Sequence, residues 1–125
     1  MSMVIDIHKV KGVRPHYDLY IGRAQMRTHA LHEEFPKDSK WANPFSIEKY
    51  GAKALELYEN YIRKRISLDP KMFNLNELEG LRLGCWCATT RTLTPLKCHG
   101  QILIKLLKIK KEVEARGEVW NPMVG

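Results

Sequence analysis

The sequence lacks any long apolar run. No stretch of its 125 residues is long or apolar enough to span a bilayer. The opening residues, MSMVIDIHKVKG, lack the basic-then-apolar design of a secretion signal. Cysteines are few and odd in number, three, whereas a disulfide scaffold uses an even set. In a reducing compartment such thiols are unbridged or bound to metal. There is no internal repeat and no low-complexity linker, although WNP near the end echoes WANP. These absences lead to the expectation of a soluble, intracellular protein without membrane attachment. The expected compartment is the cytoplasm, or that of the host cell if the source is viral.

What is present fits one small globular unit. Apolar residues make up 44% and charged residues 28%, ordinary values for a packed domain. A chain of this length builds one core rather than several. Acidic residues are outnumbered, 14 Asp and Glu against 21 Lys and Arg, for a net charge of +7. Such a balance draws a protein toward polyanions. It is equally what the solvated faces of lysine-rich helices produce.

The patterning alternates between strand and helix. Residues 3–10, MVIDIHKV, alternate apolar and polar as a strand does. KGVRP turns the chain. Residues 18–23, DLYIGR, read as a second short strand, whose end carries a permissive Gly22 and the guanidinium of Arg23. Residues 24–43 are polar and irregular and read as a loop. His29 and His32 fall there beside Glu33 and Glu34, a pattern that suits a solvated loop better than a metal site. From Ser46, a candidate cap, one helix is predicted to run to about Arg65. A short turn follows over 74–79, then a strand over 81–87, LRLGCWC. Residues 88–97 are a Thr-rich loop with Pro95. A second strong helix spans 100–116, with Ile102, Leu103, Leu106 and Leu107 on its buried face and Gly117 at its end. The tail, 117–125, either folds back through Trp120 and Met123 or stays loose. The expected architecture is α/β: a single small domain with a mainly parallel short sheet and two principal helices.

All three cysteines lie in GCWCATTRTLTPLKCHG, residues 84–100. In a strand, Cys85 and Cys87 share one face and Trp86 takes the other. Cys98 and His99 fall where the last helix begins, a place that favours a thiolate. Three chemistries remain open. Cys85, Cys87, Cys98 and His99 supply a Cys₃His inventory suited to zinc, although C-x-C spacing and adjacent Cys-His ligands are awkward for it. Cys87 or Cys98 with His99 supplies a nucleophile and its base, with Arg91 adding positive charge. All three sulfurs are otherwise simply core, and Cys85 is the one expected to be inert there. Elsewhere, Trp41 and Phe45 either wall a pocket for a flat ring, with Asn43 reading its edge, or form a lid on the first helix.

Taken in order, YIGR (Tyr20 to Arg23), KWANPF (Lys40 to Phe45), ALELYENYI (Ala54 to Ile62), LEGLRLGCWC (Leu78 to Cys87) and CHGQIL (Cys98 to Leu103) resemble a small family known as a domain of unknown function, DUF4326. The motif-bearing region is 18–107. Two features depart from the family pattern: Ala42 stands where Gly is commoner, and the loop between CWC and CHG is longer. The resemblance implies occurrence in phages, viruses and microbes, and it implies no activity. Its shared polar residues imply a pocket.

The expected function is therefore a polar Arg/Asn/Cys/His pocket. It would bind, and where a thiol reacts process, a nucleotide-like or phosphate-bearing small molecule. Cys87, Cys98 and His99 are the candidate catalytic groups. Arg23, Trp41, Asn43 and Trp86 are the candidate ligand-binding groups, Arg23 for the anion and either tryptophan for stacking. No resident metal is assigned, with zinc as the alternative cofactor. The alternative function is a non-enzymatic nucleic-acid-binding module with a structural zinc at the CWC/CH segment.

Overall fold

The computed structural model describes residues 2–86 and 98–124. Three strands form one parallel sheet: β1 (Met3–Asp6), β2 (Leu19–Tyr20) and β3 (Arg82–Cys85). Their spatial order is β1-β3-β2, so the last strand in sequence is the central one. Val4 pairs with Leu83 and Asp6 with Cys85 on one side, and Leu19 pairs with Leu83 on the other. The expected α/β architecture with a small parallel sheet is what forms.

Both edge strands are shorter than their patterns suggest. β1 stops at Asp6 because that side chain accepts the backbone N–H of His8 at 3.1 Å. A local Asx bond of this kind competes with the ladder. A tight turn through Lys11 and Gly12, both at positive φ, follows. β2 is reduced to Leu19–Tyr20, although Ile21 still donates to the Gly84 carbonyl at 3.0 Å.

The polar stretch 24–43 is not wholly irregular. Helix α1 (His29–Glu34) lies inside it, capped by Thr28, whose hydroxyl accepts the N–H of Leu31. Within α1, His29 and Glu33 form an exposed i,i+4 contact at 2.8 Å.

The single helix predicted from Ser46 to Arg65 is two. Ser46 caps α2 (Ile47–Tyr50) through a bond from the Lys49 N–H. Gly51, at φ +58°, then ends it, since the left-handed region is open to glycine and costly to other residues. Helix α3 (Lys53–Leu68) restarts the chain with Ala54, Tyr58, Ile62 and Ile66 buried, four residues apart along one face. A 3₁₀ turn at Leu75–Leu78 buries both of its leucines. Helix α4 (His99–Ala115) buries Ile102, Leu103, Leu106 and Leu107 as its periodicity requires. It packs on β1, on α3 and on the 3₁₀ turn.

Gly117, at φ +77°, closes α4, its N–H donating to the Glu114 carbonyl at 3.0 Å. The tail folds back. Trp120 is buried in the core cluster, while Met123 stays exposed. Arg63 on α3 donates to the carbonyls of Pro122 and Val124 and holds the tail in place.

One apolar cluster runs from Ile21 and Leu83 in the sheet through Tyr58 and Ile62 to Leu103 and Leu106, all fully buried. Each such side chain contributes roughly 1.5–3 kcal/mol by leaving water. Among the described residues no helix is long and apolar enough to cross a membrane.

Candidate functional site

The carboxyl ends of β2 and β3 and the start of α4 meet at one place. Open parallel sheets expose their ligand sites at this edge. Here they frame a cleft of about 500 Å³ lined by Gly22, Arg23, Gln25, Asn43, Phe45, Ser46, Glu48, Leu55, Cys85, Trp86 and His99.

The floor is formed by Cys85 and His99, with Cys98 directly beneath against Cys85, and all three are buried. Cys85 is the last residue of β3, and Cys98 is the N-cap of α4. Their sulfurs lie 3.2 Å apart, with Cys98 donating. Cys98 in turn accepts the N–H of Gly100 at 3.3 Å. His99 Nε2 faces the carbonyl of Ile21 at 2.7 Å. A carbonyl only accepts, so Nε2 carries the proton. In the neutral ring Nδ1 is then the acceptor, and it lies 3.7 Å from the Cys85 sulfur. The Tyr58 ring meets the imidazole edge to face at 5.1 Å between centroids.

The start of α4 can lie this close because residue 100 is glycine. A Cβ there would come within 2.7 Å of Val4 Cγ2 and 2.9 Å of Ile21 Cδ1. The missing side chain thus sets the depth at which Cys98 and His99 sit against the sheet.

The walls are polar and aromatic. Arg23 is exposed at the rim, with no carboxylate partner among the described residues. Asn43 uses its Oδ1 to accept the Phe45 N–H at 2.8 Å, and its amide nitrogen remains as a donor. Trp86 donates from Nε1 to the Tyr20 hydroxyl at 2.9 Å, which itself donates to the Arg23 carbonyl. Burial raises the Tyr20 pKa above its ordinary value, with hydrogen bonds from Gln25 and Trp86 opposing. Tyr20 is therefore a neutral hydroxyl that fixes the Trp86 ring and the Arg23 backbone together. A Cβ on Gly22 would strike that same hydroxyl. Arg14 lies 4.9 Å from the Trp86 ring centroid, and its guanidinium is held by Glu34, whose carboxyl it lowers in pKa.

Of the residues singled out from sequence, Arg23, Asn43, Trp86 and His99 reach one cleft. Cys98 stands beneath it, in contact with Cys85. Trp41 does not reach it: the ring is 1% exposed, packs on Phe73 and donates to Glu77. It belongs to the apolar core, and its neighbour Phe45 is the aromatic that lines the cleft. Cys85 is as buried as expected, and it is also the sulfur that faces His99. Cys87, Arg91 and the loop 88–97 lie outside the described residues. Gln25 and Glu48 were not singled out as site residues; Tyr20 entered only through the YIGR motif, and Ser46 only as a helix cap.

The chain matches the family described as a domain of unknown function (DUF4326) over residues 5–109. It is 37% identical over 95 residues to the uncharacterised protein R718 of Acanthamoeba polyphaga mimivirus, a match covering 74% of this chain and 68% of the viral one. No solved structure matches it. The cleft and its Cys/His floor fall within the matched region, and the chain belongs to the DUF4326 family.

Proposed function

We propose that the cleft binds a nucleotide-like or other phosphate-bearing small molecule, with the thiols and imidazole of its floor available for chemistry. One observation carries this reading. Arg23, Asn43, Trp86 and His99, far apart in sequence, line the same cleft at the carboxyl edge of a parallel sheet. The inventory suits such a ligand. A rim guanidinium recognises phosphate through charge-assisted hydrogen bonds. The amide of Asn43 suits the edge of a base, and the faces of Trp86 and Phe45 suit its plane. Glu48 and Ser46 suit hydroxyls of a sugar.

Calorimetric titration with nucleoside monophosphates and with the matching nucleosides tests it. The nucleotides should bind more tightly, and Arg23→Ala should weaken only them, by about 10- to 100-fold. Arg23 is exposed, so the variant should keep its melting temperature. Equal binding of nucleotides by both proteins, or no binding by either, would sink the reading.

A second reading is favoured by the convergence of Cys85, Cys98 and His99, a group that can hold a metal ion. In it, zinc is structural and the lysine-rich helices contact nucleic acid. It predicts nucleic-acid binding that falls steeply with added salt. Binding indifferent to salt would dismiss it.

A further inference from the structure

At the floor of the cleft and just beneath it lie two sulfurs and an imidazole, to which the proposed recognition by Arg23, Asn43 and Trp86 gives no binding role. We infer that Cys85, Cys98 and His99 form a three-ligand site for a thiophilic divalent cation of the zinc class, with its remaining coordination position facing the cleft. The inference takes up the metal of the second reading, but makes it a ligand-binding centre rather than a structural staple.

Four observations carry it. The ligand atoms of the three residues all lie within 4.8 Å of one another, and all three residues are buried. Two sulfurs and one nitrogen are the donor set of zinc sites that keep one position for water or substrate. The imidazole is already oriented as a ligand. Its Nε2–H is committed to the Ile21 carbonyl at 2.7 Å, and Nδ1 faces the Cys85 sulfur at 3.7 Å, on the side where the other ligand atoms lie. A backbone carbonyl on the far nitrogen is the usual partner of a metal-bound histidine. Finally, both Cys85 and His99 line the cleft, so a cation held between them is reached from that side.

Adjacent cysteine and histidine ligands are sterically awkward in regular structure. Here the backbone changes between them. Cys98 is extended, at φ −110° and ψ 136°, and His99 begins the helix. The two side chains therefore leave consecutive residues in different directions and still converge on Cys85. The sulfurs, 3.2 Å apart, need to separate slightly on binding, because two thiolates on tetrahedral zinc sit about 3.8 Å apart. Two thiolates and one divalent cation are neutral together, which removes the charge a buried site would otherwise carry. The Gly100 N–H on the Cys98 sulfur stabilises its thiolate form.

The test uses the full chain. Elemental analysis of protein purified without chelator should give one zinc per chain. After stripping, cobalt(II) should restore one equivalent, with the visible bands of a tetrahedral site and near-ultraviolet thiolate-to-cobalt charge transfer. Adding azide should shift the visible bands, because the open position accepts it. Cys85→Ser, Cys98→Ser and His99→Ala should each weaken cobalt binding at least tenfold. Where such a variant fails to fold, the azide response of the wild-type chain still decides. Cys87→Ser should retain both the metal and the azide response.

Protein that takes up no cobalt, or shows no thiolate charge transfer, overturns the site. Bands that ignore azide, or loss of metal in Cys87→Ser, overturn its open position. Metal content and nucleotide binding are measured separately. Metal without nucleotide binding would remove the small-molecule reading and leave the metal site. Nucleotide binding without metal would do the reverse.

Discussion

His99 donates its Nε2–H to the carbonyl of Ile21 across 2.7 Å, in a place where both residues are buried. One bond thus ties the first residue of α4 to the end of β2. Removing the imidazole leaves that carbonyl without its donor and opens a hole beneath the Tyr58 ring. His99→Ala should cost about 2–4 kcal/mol of stability. Urea unfolding measures it, and a loss under 0.5 kcal/mol would contradict the tie. A binding defect in this variant is therefore interpretable only beside its unfolding curve, unlike one in Arg23→Ala.

Gly100→Ala should destabilise the protein although alanine is the better helix former. The propensity gain is at most about 1 kcal/mol. Against it stands a Cβ within 2.7 Å of Val4 and 2.9 Å of Ile21. Overpacking of this kind costs about 1–3 kcal/mol. A net loss of about 1 kcal/mol is expected, with raised reactivity of Cys85 and Cys98 toward a thiol reagent as α4 lifts from the sheet. A more stable variant with unchanged thiols would show that the contact relaxes freely.

Gly51→Ala separates a backbone effect from a packing effect. Nothing lies within 4 Å of a Cβ built there, yet φ is +58°. The whole cost is conformational, about 1–2 kcal/mol. Gly51→Asn should recover part of it, because asparagine tolerates this region better. Equal melting temperatures for all three proteins would mean that the α2 to α3 break does not need glycine.

Glu59 supplies an acid-sensitive link between the two long helices. Burial pushes its carboxyl up, but the hydrogen bonds from Lys105 on α4 and Arg63 on α3 win and hold it below its ordinary value of 4.5. A carboxyl lowered in the folded state binds its proton more readily when unfolded. Its contribution is therefore complete above the unfolded value and is lost as pH falls below about 4.5 through the folded one. Glu59→Gln should lower stability at pH 7 by about 1 kcal/mol and by less near pH 3. Parallel pH–stability curves for the two proteins would rule the link out.

Much of this was legible because it depends on periodicity and chain order. α4 reads directly from Ile102, Leu103, Leu106 and Leu107. Arg23, Trp86 and His99 come together because strand ends and a helix start in a parallel sheet share one edge, and the loop between α1 and α2 adds Asn43 to it. Other features were illegible for identifiable reasons. α1 is six residues long, too short for an apolar periodicity to show against its polar composition. The break at Gly51 is a backbone angle, which an apolar pattern does not encode. Trp41 could not be assigned between pocket wall and helix lid, since an aromatic serves both, and it is buried in the core. Cys85 is buried as its sequence suggests, but its place beside His99 at the cleft depends on the contact between β3 and the start of α4, which local pattern does not encode.

The strand order has a consequence for how the chain acquires its shape. β1 and β2 both pair with β3 and not with each other. Neither early strand has a ladder partner until residues 82–85 have been synthesised, so every sheet contact spans a large loop and is entropically slow to close. The two edges wait, unpaired, through the synthesis of α1, α2 and α3. Cys85, which completes the sheet, also lines the cleft, and the nascent protein has no cleft at that edge before its tertiary structure is closed.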